Sequence, residues 1–362
     1  MAPLKSKKRR VKPAPLRLNL ALQGGGSHGA FTWGVLDRLL EEEDIEIVGI
    51  SGTSAGAMNA AMLVEGMNEG GRARAKEQLE EFWRAISVAA AMYAPASQQA
   101  PISTIPGMEQ FGWLGIFNPM EMLSRMLSPY EMNPLNLNPL RDILAGTLKC
   151  ENLHHGIRLF VTATNVETGH ARIFRDEEVS IDALMASATL PFLYQAVEIE
   201  GVPYWDGGYM GNPSLWPLFY KTDCPDLMLV QINPLYRRGT PKHMLDIMNR
   251  LNEISFNSSL LAEMRAIHFV KKMMHEGKLS DKSHTDIHMH CIFPPEDLHA
   301  MSASTKMFAS WEFFQLLNKA GREQMENWLR DHKKSLGKHS TIDIAKTFLQ
   351  RPEKTMSPKE PA

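Results

Sequence analysis

Two kinds of hydrophobic spacing alternate along the first part of the chain. LRLNLALQ, from Leu16, has apolar residues at every second position before it turns apolar throughout, and IEIVGIS, from Ile45, is a short apolar run, so both are predicted to be β-strands. HGAFTWGVLDRLLEEE lies between them with apolar residues at helical spacing, and SAGAMNAAMLVEGM follows as a helix of small residues. This β-α-β-α order predicts a parallel sheet with helices on its faces.

The same patterns continue towards the C-terminus. Strands are predicted at IRLFVTATNV, HARIF, VPYWDGG, DLMLVQINP and TDIHMHCIF, and amphipathic helices over 242–276 and 304–334. We therefore predict an α/β fold in which a central, mostly parallel sheet is flanked by helices. The main domain is expected over 16–235, followed by a mainly helical C-terminal extension over 236–350.

Residues 89–138 interrupt this pattern with a stretch rich in methionine and proline that has no clear period. So long an irregular segment in a compact domain is often functional, and methionine adapts to apolar ligands of varied shape, so we predict a lid. An irregular piece of the core is the alternative. The ends of the chain, a basic tail over 1–15 and a proline-rich tail over 351–362, are predicted to be disordered.

Composition narrows the class of protein. The 362 residues are 44% hydrophobic and 22% charged, with a formal net charge of −2, which fits a globular protein and gives no reason to expect nucleic acid as a partner. Three widely spaced cysteines suggest neither a disulfide framework nor a zinc site, and the basic N-terminus lacks the apolar run of a signal peptide. We expect a cytoplasmic protein of undetermined oligomeric state, whose basic tail is either a solvated arm or a peripheral membrane contact with anionic lipid.

Two glycine-rich turns follow the first two predicted strands. The first, LALQGGGSHGAF, fits a dinucleotide-binding G-x-G-x-x-G, a G-x-S-x-G with Ser27 as nucleophile, or a nest of backbone N–H groups that holds an anion. The second, GISGTSAGAM, places Ser54 between Gly52 and Gly56 where a strand meets a helix. This is the context of a nucleophile elbow, in which a strained turn exposes the serine. A serine that caps the helix is the alternative.

The second turn decides how the first is interpreted. A dinucleotide fold would need an acid at the end of IEIVGIS to bind a ribose, but that strand runs into GTSAG. Ser27 has His28 beside it, and adjacent side chains on a turn seldom face each other as a nucleophile and its base must. We therefore interpret the loop Gly24–Gly29 as an oxyanion hole that serves Ser54.

A serine nucleophile needs a base, and VPYWDGG offers one. Asp206 ends a predicted strand, and Gly207 and Gly208 after it allow a sharp turn that points the carboxylate into a cleft. The alternative is an aspartate that makes only local hydrogen bonds in its turn.

GGGSHG, GTSAG and DGG, in this order, resemble the motifs of the patatin-like phospholipase family, as do VTATNVETGHARIF and the segment ASATLP with Ser187 and Pro191. The resemblance covers 16–234 and implies a three-layer fold with the catalytic domain over 16–235. It also implies a hydrolase that cleaves lipid or other acyl esters with Ser54 and Asp206 as its catalytic dyad, and that needs no cofactor.

The resemblance assigns roles to the glycines as well. It places the oxyanion hole on Gly24, Gly25 and Gly26. The positions that support the motifs are Gly29, Gly52, Gly56, Gly207 and Gly208. One residue departs from the family pattern, because His28 stands where the family usually has arginine or lysine. The charge of a histidine depends on its surroundings, so this departure leaves open how the loop handles an anionic phospholipid.

A cluster near the C-terminus raises the alternative of a metal site. HTDIHMHCIF contains His284, His288, His290 and Cys291. On a strand His288 and His290 share a face, where a metal could bridge them. The rest of the sequence offers no acidic or cysteine pair that completes the site, so we predict exposed polar residues and no metal.

Two further alternatives concern the activity itself. His243, His268 and His275 follow Asp206 on predicted helices and could complete the Ser–Asp–His triad of a general esterase. From a different class, the chain could be a lipid-binding or assembly module with a decayed active site. The intact motifs argue against decay.

Overall fold

The structure, a computed structural model, describes most of the chain. The described residues are 14–93, 127–237, 239–279, 285–299, 301 and 303–350. The predictions of two disordered tails, and of a lid within 89–138, concern residues that lie mainly outside these ranges. Of the segment 89–138, residues 89–93 continue a long helix, whereas 94–126 are not among the described residues.

Eight strands within the described residues form one sheet. They are β1 (Leu16–Leu22), β2 (Ile45–Gly52), β3 (Arg158–Asn165), β4 (Ala171–Arg175), β5 (Val197–Ile199), β6 (Val202–Asp206), β7 (Asp226–Val230) and β8 (His288–Ile292). Their order is β5-β6-β3-β2-β1-β7-β8, and β4 pairs with β3 outside this path. The neighbours from β3 through β2, β1 and β7 to β8 are parallel, whereas β4, β5 and β6 pair antiparallel.

Helices connect these strands. They are α1 (Gly29–Leu39), α2 (Ala55–Tyr93), α3 (Pro129–Met132), α4 (Pro139–Thr147), α5 (Ile181–Ala188), α6 (Trp216–Lys221), α7 (Met244–His275), α8 (Glu296–His299) and α9 (Trp311–His332). The long helix α2 is interrupted at Gly70 and Gly71, whose backbone angles are not helical. Among the described helices, none combines the length and the apolar character needed to cross a bilayer.

Alternation of side chains along the strands builds one core on each face of the sheet. In β7, Met228 and Val230 belong to the core covered by α1, α2, α5 and α9, whereas Leu227 and Leu229 face the core under α6 and α7. A strand between two helical layers is therefore apolar on both faces. The predicted α/β class, with a mostly parallel central sheet between helices and a mainly helical extension, is confirmed.

The C-terminal extension packs directly on the rest of the fold. Its strand β8 pairs with β7, and its helix α9 crosses α1. At the crossing the two backbones touch: a Cβ on Gly34 would lie 1.9 Å from the Asn318 carbonyl oxygen, and one on Gly321 would lie 2.1 Å from that of Phe31. The boundary predicted between 235 and 236 stays a prediction, but residues on both sides of it share one sheet.

Candidate active site

The three predicted motifs meet at the carboxyl edge of the parallel strands. The glycine loop follows β1 and the Ser54 turn follows β2, whose last residue, Gly52, pairs with Val161 of β3. Asp206 ends β6 and pairs with Ala163, two residues further along β3. This register places Asp206 beside the turn that follows Gly52. In open α/β sheets, ligands bind in the crevice at this edge.

Ser54 lies on a strained turn. Its φ is 53°, in the left-handed region that residues other than glycine rarely adopt. A Cβ on Gly56 would lie 2.2 Å from the Leu22 carbonyl oxygen, so a glycine is needed for α2 to begin this close to β1. Such strain persists where the surrounding structure fixes it, and it is typical of functional sites.

Asp206 is buried beside Ser54. Its Oδ1 accepts a hydrogen bond from the Gly208 N–H at 2.7 Å, and the Ser54 hydroxyl is a second hydrogen-bond partner of the carboxylate. Burial raises the pKa of Asp206 to about 7, although both hydrogen bonds favour the charged form. A Cβ on Gly207 would lie 2.0 Å from the Thr162 carbonyl oxygen, so this turn presses directly against β3. A carboxylate that titrates near neutral pH and contacts a hydroxyl group has the properties of a general base.

The segment ASATLP connects the two candidate catalytic residues. The Ser54 N–H donates to Ser187 Oγ at 2.9 Å, and the Asp206 N–H donates to the Thr189 carbonyl oxygen at 2.8 Å. On the other side, Thr164 Oγ1 of β3 donates to the Asp206 carbonyl oxygen at 2.8 Å. The backbones of both residues are therefore held by groups from the same short segment and from the sheet.

The glycine loop packs on Ser54, and it requires one revision of the predicted oxyanion hole. The Gly24 N–H donates to Asn212 Oδ1 at 2.7 Å, so this predicted oxyanion donor already has an acceptor. Gly25 and Gly26 stand at the start of the 3₁₀ turn Gly26–His28, where N–H groups have no partner within the turn. No hydrogen bond from either N–H occurs among the described residues. The supporting Gly29 lies against Ala55 at the start of α2.

Two asparagines that the sequence analysis missed hold this loop. Asn233 Nδ2 donates to the Gly24 carbonyl oxygen at 2.8 Å, while Asn212 accepts from the Gly24 N–H. Gln23 joins them, since its Nε2 donates to the Asn212 carbonyl oxygen at 3.1 Å and its Oε1 accepts from the Asn233 N–H at 2.9 Å. A sequence signal exists: both asparagines precede a proline, in GNP after the DGG motif and in INP after β7.

His28, the departure from the family pattern, is buried and uncharged at neutral pH. Its Nε2 lies 2.7 Å from Thr305 Oγ1, and its ring meets that of Phe313 edge to face. Burial, with the positive charges of Lys306 and Arg237, lowers the pKa of His28 to about 4. His28 therefore gives the loop no positive charge in the physiological pH range.

The histidines considered for a triad do not join the site. Asp206 interacts with Gly208 and Ser54, and no hydrogen bond or ion pair links it to His243, His268 or His275 within the described part of the chain. His243 and His275 are exposed at the two ends of α7. The geometry thus offers a serine and an aspartate without a histidine.

The prediction of exposed polar residues on β8 is wrong for His290, which is fully buried. Its Nε2 lies 3.1 Å from Asp226 Oδ1, and His288 Nδ1 lies 3.4 Å from the same atom. The buried partner comes from β7, which the local pattern of β8 does not reveal. His284 lies outside the described residues, and the described ones contain no group of three histidine, cysteine, aspartate or glutamate side chains that could hold a metal.

Comparisons with known proteins complete this description. Among solved structures, VipD from Legionella pneumophila is 17% identical, with 88% of this chain and 68% of that chain covered at a TM-score of 0.41. A chain of the ExoU–SpcU heterodimer from the type III secretion system of Pseudomonas aeruginosa is 16% identical, with 88% and 52% covered at a TM-score of 0.35. This chain therefore spans about half the length of that one.

No curated protein matches the sequence. The family model described as patatin-like phospholipase matches residues 20–219, which is more than half of the chain and includes the glycine loop, the Ser54 turn and Asp206. The chain belongs to the patatin-like phospholipase family, and thus in general terms to the lipid acyl hydrolases.

Proposed function

We propose that this protein is a serine hydrolase of lipid acyl esters in which Ser54 is the nucleophile and Asp206 the base. The observation that carries the proposal is the hydrogen bond between the Ser54 hydroxyl and the buried Asp206 carboxylate, whose pKa lies near 7. Ser54 Oγ attacks the acyl carbonyl carbon while its proton passes to Asp206. The ester C–O bond then breaks as Asp206 returns that proton to the leaving alkoxide. Water, deprotonated by Asp206, next attacks the acyl-enzyme; the bond between the acyl carbon and Ser54 Oγ breaks as Asp206 returns the proton to Oγ, which releases the fatty acid and regenerates Ser54.

The oxyanion that forms in each attack is assigned to the N–H groups of Gly25 and Gly26. They begin the 3₁₀ turn beside Ser54, and their hydrogen-bonding capacity is not used by the described residues. Gly24 is left out because its N–H serves Asn212. Preorganised donors of this kind are commonly worth about 3–4 kcal/mol each in the barrier.

A fluorophosphonate probe tests the nucleophile directly. The probe should form one covalent adduct, mapped by mass spectrometry to Ser54, because the base beside this hydroxyl activates it. Ser54→Ala should lose the adduct, and Ser27→Ala, as the matched serine of the other G-x-S-x-G, should be labelled like the wild type. Labelling at Ser27, or undiminished labelling of Ser54→Ala, would contradict the assignment.

Three loops that contact this site carry exposed apolar side chains. They are Phe192, Leu193, Met210 and Met307, which we call the apolar rim. Each loop is fixed to the site, by the Thr189 carbonyl oxygen that binds Asp206, by the turn after Asp206, and by the contact of Lys306 with Gly26. Exposed apolar side chains that adjoin a binding site are typical of surfaces that bind apolar partners. We propose that the apolar rim contacts the surface of lipid aggregates and guides acyl chains to Ser54.

Replacing Phe192 and Leu193 by serine should lower the rate on phosphatidylcholine vesicles by about tenfold or more, because each side chain is worth about 1.5–3 kcal/mol when it is taken out of water. Turnover of soluble p-nitrophenyl butyrate should stay within twofold of the wild type. Tyr220→Ser, which removes a side chain 77% exposed on α6, serves as control and should leave both rates unchanged. Equal losses on vesicles and on the soluble ester would refute a role of the apolar rim in lipid contact.

A further inference from the structure

The C-terminal extension brings a half-buried lysine to the glycine loop. Lys306 belongs to the 3₁₀ turn Ala303–Met307, and a Cβ on Gly26 would lie 2.4 Å from the Lys306 carbonyl oxygen, so the two backbones touch. The Lys306 Nζ donates to Asn233 Oδ1 at 2.5 Å. Among the described residues it forms no ion pair. Taking a lysine largely out of water without pairing it to a carboxylate costs free energy, so the arrangement calls for a physical reason.

A chain of hydrogen bonds runs from this ammonium group to the proposed oxyanion hole. Lys306 donates to Asn233 Oδ1, and the Nδ2 of the same amide donates to the Gly24 carbonyl oxygen at 2.8 Å. The Gly24 carbonyl belongs to the peptide unit whose N–H is that of Gly25. Hydrogen bonds in such a series polarise one another, and a cation at one end strengthens every donor along it.

We infer that Lys306 is a positioning residue of the oxyanion hole, whose positive charge acts through Asn233 and the Gly24–Gly25 peptide to make the Gly25 N–H a stronger donor. The inference rests on the proposed function, because it needs an oxyanion to form next to Gly25. Lys306 itself touches no reacting atom. His28, the other titratable group packed on the loop, is neutral and cannot supply this charge.

The charges that face Lys306 come from three elements. Glu253 of α7 attracts it but is already paired with Arg237 and Arg250, at 2.8 Å and 3.0 Å. Arg237, after β7, repels it, and His28 faces it from the 3₁₀ turn of the loop. Burial, the largest influence, lowers the pKa of Lys306 to about 8. As the pH rises through this value the charge is lost, and the Gly25 donor should weaken.

Kinetics on a neutral, soluble ester distinguish an effect of the Lys306 charge on the oxyanion hole from a purely structural role of this side chain. For p-nitrophenyl butyrate, Lys306→Met should lower kcat by about tenfold at pH 7.5, a part of the 10²–10³ that loss of a whole oxyanion donor costs, with KM within twofold. The wild-type decline of kcat above pH 8 should disappear in Lys306→Met. Lys306→Arg should restore kcat and hold it to pH 10, and Lys338→Met, an exposed lysine of the same extension, should behave as wild type. A change in KM alone, or no rescue by arginine, would overturn the inference.

A nuclear magnetic resonance experiment tests the hydrogen-bond series from Lys306 to the Gly25 N–H in the absence of catalysis. The protein is labelled with glycine that carries ¹³C at the carbonyl and ¹⁵N at the amide. A spectrum that requires a ¹³C–¹⁵N peptide bond then shows only the amides that follow another glycine, which are those of Gly25, Gly26, Gly71 and Gly208. In the Ser54→Ala protein, the Gly25 amide should shift with a midpoint near pH 8, and this shift should vanish in Ser54→Ala with Lys306→Arg. Gly208, which donates to Asp206, should report a separate midpoint that lies above the wild-type value because the Ser54 hydroxyl is gone, and that remains when Lys306→Arg is added, so the base of the proposed function is tested independently. A Gly25 amide that does not move between pH 7.5 and 9 would overturn the inference.

Discussion

Exchanging Asp206 for asparagine should lower kcat for p-nitrophenyl butyrate at pH 8 by a factor of about 10² or more, because the amide keeps the shape of the carboxylate but cannot accept the Ser54 proton. For the wild type, kcat/KM should rise with pH to an inflection near 7, where burial holds the pKa of Asp206. The residual activity of Asp206→Asn should lack this inflection. Steady-state kinetics of both proteins between pH 5 and 8 test the two expectations together.

The stability of the same variant provides the control. Native Asp206 keeps its proton up to about pH 7, whereas in the unfolded chain it loses the proton near its ordinary pKa of 3.8. The free energy of unfolding therefore falls as the pH rises between these values, and the penalty persists above pH 7. Asparagine escapes this penalty, so the thermal midpoint of Asp206→Asn at pH 8 should equal or exceed that of the wild type. A midpoint that falls with the activity would indicate a structural role, and an equal loss in His268→Ala would favour a triad.

Strong local periodicity made most of the fold predictable. LRLNLALQ became β1 (Leu16–Leu22), and the helix expected over 242–276 became α7 (Met244–His275), because long apolar patterns with one period leave little choice of structure. The three-residue strand β5 and the antiparallel pairing of β6 with β3 carry no such signal. Pairing direction depends on where the chain returns to the sheet, and the local pattern does not encode that.

The candidate site likewise has features that the local sequence predicts and features that depend on distant residues. The strained turn at Ser54 follows from neighbouring residues, since Gly56 supplies the close approach to Leu22 that a strand–turn–helix needs. Neighbouring residues do not predict that the Gly24 N–H is already hydrogen-bonded, because its acceptor, Asn212, is 188 positions away in the sequence. The contacts of Lys306 with Gly26 and Asn233 likewise join segments that only the tertiary fold brings together.

Gly24→Ala should lower kcat for p-nitrophenyl butyrate by about 10²-fold while the protein remains folded. A Cβ at this position would lie 2.7 Å from both Ser54 Cβ and the Thr53 carbonyl oxygen, so the glycine loop and the nucleophile must move apart. A misplacement of about 1 Å between reacting groups commonly costs this factor. Gly146→Ala is the matched control, since a Cβ there on α4 meets no atom within 4 Å and should leave kcat unchanged.

Two further measurements on Gly24→Ala test whether displacement of the nucleophile is the cause. The fluorophosphonate probe should react with Ser54 more slowly by a factor similar to that in kcat, because its tetrahedral adduct needs the same donors and the same alignment. The thermal midpoint should fall by much less than would unfold the protein at 25 °C, since Ser54 is only half-buried and a small displacement relieves the clash. Because Gly24 supplies no N–H to the oxyanion in this geometry, the loss must arise from displacement alone. Unchanged kcat and labelling in Gly24→Ala would therefore show that the glycine loop does not set the position of the nucleophile, and would remove Gly25 and Gly26 as its oxyanion donors.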